Sequence, residues 1–213
     1  MLKDLSHRIE SGMVTYRGLP APHICDFWER EASAGNYDDG STFQIGRLEM
    51  VGNTGTYLDT PFHRYAEGDD LASVALGRLA GLHGLCVRAE GMEAGRVLFE
   101  GLDVAGKAVL VHTGWDRHWR TDAYFENHPF LAEAAARLLA ERGAALVGID
   151  SYNIDDTRTR RRPVHTVLLG AGTLIVEHMT NLAELPASGF RFTAAPPRIA
   201  GMGTFPVRAF AEL

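Results

Sequence analysis

The sequence predicts an α/β domain, rich in short strands and poor in helices. Two apolar runs, 107–115 and 144–151, flank the one stretch with a clear helical stripe, 130–142. Strand, helix and strand in that order make a βαβ unit. Most other ordered segments are short, alternate in polarity and are cut by Gly or Pro, as strands are. At 213 residues the chain reads as a single domain, 1–213, large enough for a real core.

Residues 4–22 read as a short strand, a turn at Gly12 and an extended aromatic piece closed by Gly18 and Pro20. Residues 23–40 hold Pro22 at their entrance, Gly35, Gly40 and several charges, and read as a loop able to serve as a mobile flap. Residues 41–51 alternate and form a strand. Residues 67–81 read as helix-like or loop. A strand at 82–89 follows, then a turn region at 98–105 and the buried strand 107–115, with His112 and Trp115 at its carboxyl end. The helix is expected to begin at Pro129, a residue suited to a first turn. Leu131, Ala134, Ala135, Leu138 and Leu139 make its stripe, Glu133 and Arg137 an i, i+4 pair, and Gly143 its end. The run 144–151 is the second buried strand. Residues 152–164 form a loop with Arg158, Arg160, Arg161 and Arg162, which reads either as a solvated loop or as a mouth that attracts an anion. The run 173–178 is a strand ending on Glu177, and the tail offers strands at 190–194, 198–200 and 207–210.

Composition bounds the function. The chain is 46% apolar and 23% charged, with a net charge of −6. That balance argues against a nucleic-acid surface. No apolar run reaches membrane-span length, and the first residues lack the apolar core of a signal peptide. Cys25 and Cys86 are far apart and in no metal-like spacing, so two reduced thiols in a cytoplasmic protein are expected.

Chemistry concentrates in residues 53–63, Asn-Thr-Gly-Thr-Tyr-Leu-Asp-Thr-Pro-Phe-His. Gly55 permits a backbone turn that other residues resist. In an extended segment Tyr57 and Asp59 share a face. Pro61 ends strand pairing and lets His63 swing back. Asp59 is an oxygen donor or base, and His63 can ligate a metal or move a proton near neutral pH.

This segment resembles the signature of the cyclase family, the metal-dependent hydrolases that include bacterial kynurenine formamidases. The signature runs His-x-Gly-Thr-His-x-Asp-x-Pro-x-His. Gly55, Thr56, Asp59, Pro61 and His63 fit it, while Asn53 and Tyr57 stand where its first two histidines belong. The resemblance extends through Thr113-Gly114-Trp115, Gly148-Ile149-Asp150-Ser151, His165 with Leu168-Leu169, and Glu177 with Asn181-Leu182 and Leu185-Pro186. It implies a swivelling β/β/α-like fold with β-rich mixed sheets. It implies Asp59, His165 and Glu177 as ligands of one divalent metal, His63 as acid/base, and Tyr16 as a pocket-lining, substrate-binding aromatic. Asn53 and Tyr57, which offer an amide oxygen and a neutral phenol where the family has metal-binding histidines, are read as substrate-binding residues. It also implies a homo-oligomer, dimer or tetramer.

One imidazole and two carboxylates suit zinc, manganese or ferrous iron with open positions. The expected function is a metal-dependent hydrolase of an amide, lactone or cyclic imide. Two other classes stay open: a metal-independent lyase, dehydratase or isomerase on a small oxo- or hydroxy-acid, with His63 and Glu177 as acid/base pair, and a non-catalytic ligand-binding homologue.

Overall fold

The computed structural model describes all 213 residues. The strands are β1 (Leu2–Asp4), β2 (His23–Trp28), β3 (Ile45–Glu49), β4 (Tyr57–Asp59), β5 (Leu82–Arg88), β6 (Glu93–Ala94), β7 (Ala108–His112), β8 (Phe130–Leu131), β9 (Leu146–Ile149), β10 (Leu174–Glu177), β11 (Ser188–Thr193), β12 (Thr204–Pro206) and β13 (Phe210–Glu212). Three α-helices accompany them: α1 (Arg30–Ser33), α2 (Glu133–Glu141) and α3 (Pro163–Gly170). The mixed, helix-poor α/β fold is the one expected.

Nine strands form one sheet in the order β1-β13-β11-β5-β7-β9-β10-β4-β12. The middle four, β5, β7, β9 and β10, run parallel, and the flanking pairs are antiparallel. The connection β7-α2-β9 is the βαβ unit read from the sequence. Alternation along the central strands divides the core. Val109, Val111, Val147, Ile149 and Ile175 face α2 and α3, where Ala135, Leu139, Val164 and Leu168 cover them. Leu110, Leu146, Leu174 and Val176 face the other way and pack with Leu58, Phe190 and Phe192. No helix is long and apolar enough to cross a membrane.

Several boundaries differ from expectation. Residues 23–28 are not loop: β2 pairs with β3 as a separate two-stranded ribbon. Its side chains stay largely exposed on both faces, so no burial pattern marks it. The helix starts at Glu133, four residues beyond Pro129. Between them Phe130 and Leu131 pair with β6, because the Phe130 and Ala132 amides donate to the Met92 and Ala94 carbonyls. The tail segment 198–200 is irregular, and its β-structure lies at 204–206 and 210–212 instead. Helix α3 was not foreseen. It buries Val164, His165, Leu168 and Leu169 and is apolar overall, so it lacks the polar stripe that reveals amphipathic helices.

Candidate active site

Strand register assembles the site. Residues directly opposite in an antiparallel pair project to the same face. β4 is held between β10 and β12, with Tyr57 opposite Glu177 on one side and Asp59 opposite Thr204 on the other. Glu177 lies on the face of β10 that also bears Ile175, the face under α3. Both expectations for the 53–63 segment hold. Gly55 has φ +65°, and its amide donates to Thr15 Oγ1 at 2.8 Å. Beyond β4, Pro61 opens a single 3₁₀ turn, Pro61–His63, that carries His63 back over Asp59.

Four predicted residues meet there. His63 Nδ1 lies 3.6 Å from Asp59 Oδ1. His165 Nε2 lies 3.8 Å from Asp59 Oδ2 and 3.8 Å from Glu177 Oε1. Ligand atoms of Asp59, His63 and His165 all fall within 4.8 Å of one another. Tyr16, Asn53 and Tyr57 line the same 230 Å³ cavity as His63, His165 and Glu177. Tyr16 stacks on Tyr152 at 4.8 Å between ring centroids.

The hydrogen bonds divide these groups by role. Glu177 accepts from the Tyr57 hydroxyl at 2.7 Å and from the Ile154 amide at 2.6 Å. Tyr57 therefore stays protonated: burial, Glu177 and Asp59 all push its phenol well above the usual range. His178, also buried, approaches the Tyr57 hydroxyl at 3.3 Å, and Tyr124 at 2.8 Å. Burial holds His178 well below the usual imidazole range, so it is neutral. Burial likewise raises Glu177, to about 7. At His165 burial works downward, but Glu177, Asp155 and Asp59 outweigh it and lift the imidazole to about 10.

Two residues unnoticed in the sequence complete the arrangement. Asp155 accepts from the Val164 and His165 amides, at 2.8 and 3.0 Å, and from His165 Nδ1 at 2.6 Å. It thus satisfies first-turn donors of α3 and turns the His165 ring so that Nε2 faces Asp59 and Glu177. Thr204 Oγ1 donates to Asp59 Oδ1 and lies 2.8 Å from His63 Nδ1. Gly203 makes this contact sterically feasible: a Cβ there would stand 2.6 Å from His63 Cα. The Gly-Met-Gly-Thr string at 201–204 was the one available signal, since glycines before a polar residue mark close backbone approach.

The donor set fits a divalent cation. Asp59 is fully buried, and its Oδ2 has no hydrogen-bond partner. An orphaned buried carboxylate oxygen is costly unless a proton or cation meets it. His165 Nε2 has no hydrogen-bond partner either, while its other nitrogen is committed to a carboxylate, the arrangement typical of a ligating histidine.

Comparison with known proteins agrees with the geometry. Residues 3–156 match the family profile Cyclase, described as "Putative cyclase". A solved structure described as a potential metal-dependent hydrolase with cyclase activity is 26% identical and superposes with a TM-score of 0.78, covering 99% of this chain and 96% of that one. A predicted metal-dependent hydrolase from Bacillus stearothermophilus is also 26% identical, with a TM-score of 0.77 over 99% of this chain and 97% of that one. Isatin hydrolase A from Labrenzia aggregata, 20% identical, shares the fold at a TM-score of 0.81 over 99% and 93% of the two chains. With most of its length matched and its site built on the Gly-Thr-x-x-Asp-x-Pro-x-His remnant of the signature, the chain belongs to the cyclase family.

Proposed function

We propose that this protein is a metal-dependent hydrolase that cleaves an amide, lactone or cyclic imide bond, with His63 as its acid/base. The observation that carries this reading is the buried Asp59 Oδ2, which has no hydrogen-bond partner and lies 3.8 Å from His165 Nε2. Asp59, His165 and Glu177 would hold one divalent ion, and their mixture of one imidazole and two carboxylates suits zinc or manganese. Bound there, such an ion polarises a carbonyl and makes nearby water more acidic. The names of the relatives, metal-dependent hydrolase and isatin hydrolase, support the same reaction class.

The chain's own groups account for the proton traffic. The single Thr204 proton goes to Asp59, so Thr204 accepts from His63 Nδ1–H. That fixes the tautomer and leaves Nε2 as the basic nitrogen. His63 is partly exposed and lines the cavity, so Nε2 can take a proton from the attacking water and return it to the leaving nitrogen or oxygen. Tyr57 keeps Glu177 oriented through its phenol. Tyr16 and Asn53 bound the space for the substrate.

Elemental analysis of protein purified without chelator tests the assignment. About one equivalent of zinc or manganese is expected in wild type and in His63→Gln, and none in Asp59→Ala. His63→Gln is expected to lose roughly 10²–10⁴-fold in kcat on any accepted amide or lactone. Metal retained in Asp59→Ala, or full turnover in His63→Gln, would overturn the scheme. One observation favours the second reading, a lyase or isomerase without metal: Glu177, raised to about 7, is suited to move a proton near neutrality. Turnover that survives exhaustive chelation would favour it.

A further inference from the structure

Two arginines that line the cavity have no role in the scheme above. Arg64 follows the 3₁₀ turn that carries His63, and Arg162 immediately precedes α3, which carries His165. Both line the 230 Å³ cavity. Thr166 ties them together: its hydroxyl donates to the Arg162 carbonyl at 2.8 Å and accepts from Arg64 Nη2 at 3.2 Å. Arg162 Nη1 is anchored on the Asp156, Thr159 and Arg161 carbonyls, at 3.4, 2.7 and 2.7 Å, which holds the side chain in place.

Neither group has a carboxylate partner. Two other arginines of the basic run are paired. Arg158 forms a forked pair with Asp156, at 2.8 and 2.9 Å, and Arg161 approaches Glu133 at 3.6 Å. Of the four arginines in that loop, Arg162 alone lines the cavity. A half-buried guanidinium held by carbonyls through one nitrogen keeps its remaining N–H groups for an acceptor. Such planar donors match a carboxylate in geometry as well as charge. Leu19 and Tyr16, the latter stacked on Tyr152, add an apolar part to the lining. The cavity is also smaller than the roughly 300–1,000 Å³ of pockets for drug-sized ligands.

We infer that the substrate is a small carboxylic acid, its carboxylate held by Arg64 and Arg162 while its hydrolysable carbonyl lies over Asp59 and His63. This rests on the hydrolase reading. No bond changes at the carboxylate; its role is to orient the substrate, and the two arginines are positioning residues.

A matched pair of probes tests the inference: 2-formamidobenzoate and its methyl ester, which differ only in the anionic group. Wild-type protein loaded with Mn²⁺ is expected to favour the acid by at least about tenfold in kcat/KM, chiefly through KM. Arg64→Met should erase most of that preference and affect the ester far less. Arg64 is exposed and bonds only to Thr166, so the change leaves the core intact. Arg162→Lys keeps a charge without the fork and should weaken the preference in the same direction. Equal kcat/KM for acid and ester, or equal losses on both in the variants, would overturn the inference and leave the hydrolase reading standing. Should neither compound be cleaved, the hydrolase reading fails for this bond, and calorimetric binding decides the rest. Binding of the acid that weakens at least about tenfold in Arg64→Met sustains the anion site. No binding, or equal binding of acid and ester, refutes it.

Discussion

At the scale of single residues, Thr204 carries one proton, and two groups of the site depend on where it goes. Asp59 takes it, which leaves His63 to donate from Nδ1. Thr204→Val keeps the shape and removes the hydroxyl. It leaves a buried carboxylate oxygen short of a donor, at roughly 1–3 kcal/mol, and frees the imidazole to adopt either tautomer. The expected result is a loss of roughly 10–100-fold in kcat, part of the full acid/base contribution, with metal content unchanged. Turnover within about twofold of wild type would mean that Thr204 does not set the His63 tautomer. The sequence showed Asp59, His63, His165 and Glu177 because each is a residue type that does chemistry, set in a recognisable string or spacing. Thr204 was hidden because its partner Asp59 lies 145 positions away, and only the glycines at 201 and 203 hinted at a close backbone approach.

At the scale of elements, α3 links the fold to the site. Its first turn is held by Asp155, which also turns the His165 ring. Replacing Asp155 by Asn keeps an acceptor for the helix amides and removes the charge behind the imidazole. Metal affinity is expected to fall about 10–100-fold, read by competition with a chromogenic chelator, with helix content by circular dichroism unchanged. Unchanged affinity would show that packing alone aims His165. The legible elements were the continuous apolar runs of β7, β9 and β10, buried on both faces, and the one-sided stripe of α2. Those that escaped lacked either pattern. β2 is exposed on both faces, and α3 is covered by the sheet and by α2. Pro163 at the first turn of α3 was a valid start signal, yet it sat beside a run of arginines that reads as loop.

At the scale of the whole molecule, His7 couples stability to mild acid. His7 is stacked on Trp119 at 4.0 Å, its Nε2 is buried without a partner, and burial lowers it to about 4. A histidine depressed in the folded state takes its proton only after the unfolded chain has. Its stabilising contribution is complete above pH ~6.5 and is lost as pH falls toward 4. Between pH 7 and pH 5 the loss from His7 alone is about 2 kcal/mol. Urea unfolding at both values should show wild type losing more than His7→Phe by about that amount. Equal losses would mean that His7 is accessible to protons in the native protein. The mixed sheet was foreseen from the βαβ unit, whereas the tail strands shifted by several residues, because β12 and β13 are placed by their distant partners β4 and β13's neighbours β1 and β11.

The position of β4 has a further consequence for biosynthesis. Its two neighbours, β10 and β12, both come from late in the chain, and 120 residues separate Tyr57 from Glu177. At roughly 5–20 residues per second, translation leaves β4 without a partner for about 6–24 s. During that interval the ribosome carries an apolar, unpaired edge and an incomplete ligand set. A nascent chain halted anywhere before residue 204 has no β12 to cover that edge and no Thr204 to orient His63. The site therefore matures in one late step, and a chaperone that shields the segment around Leu58 until then would protect activity and solubility together.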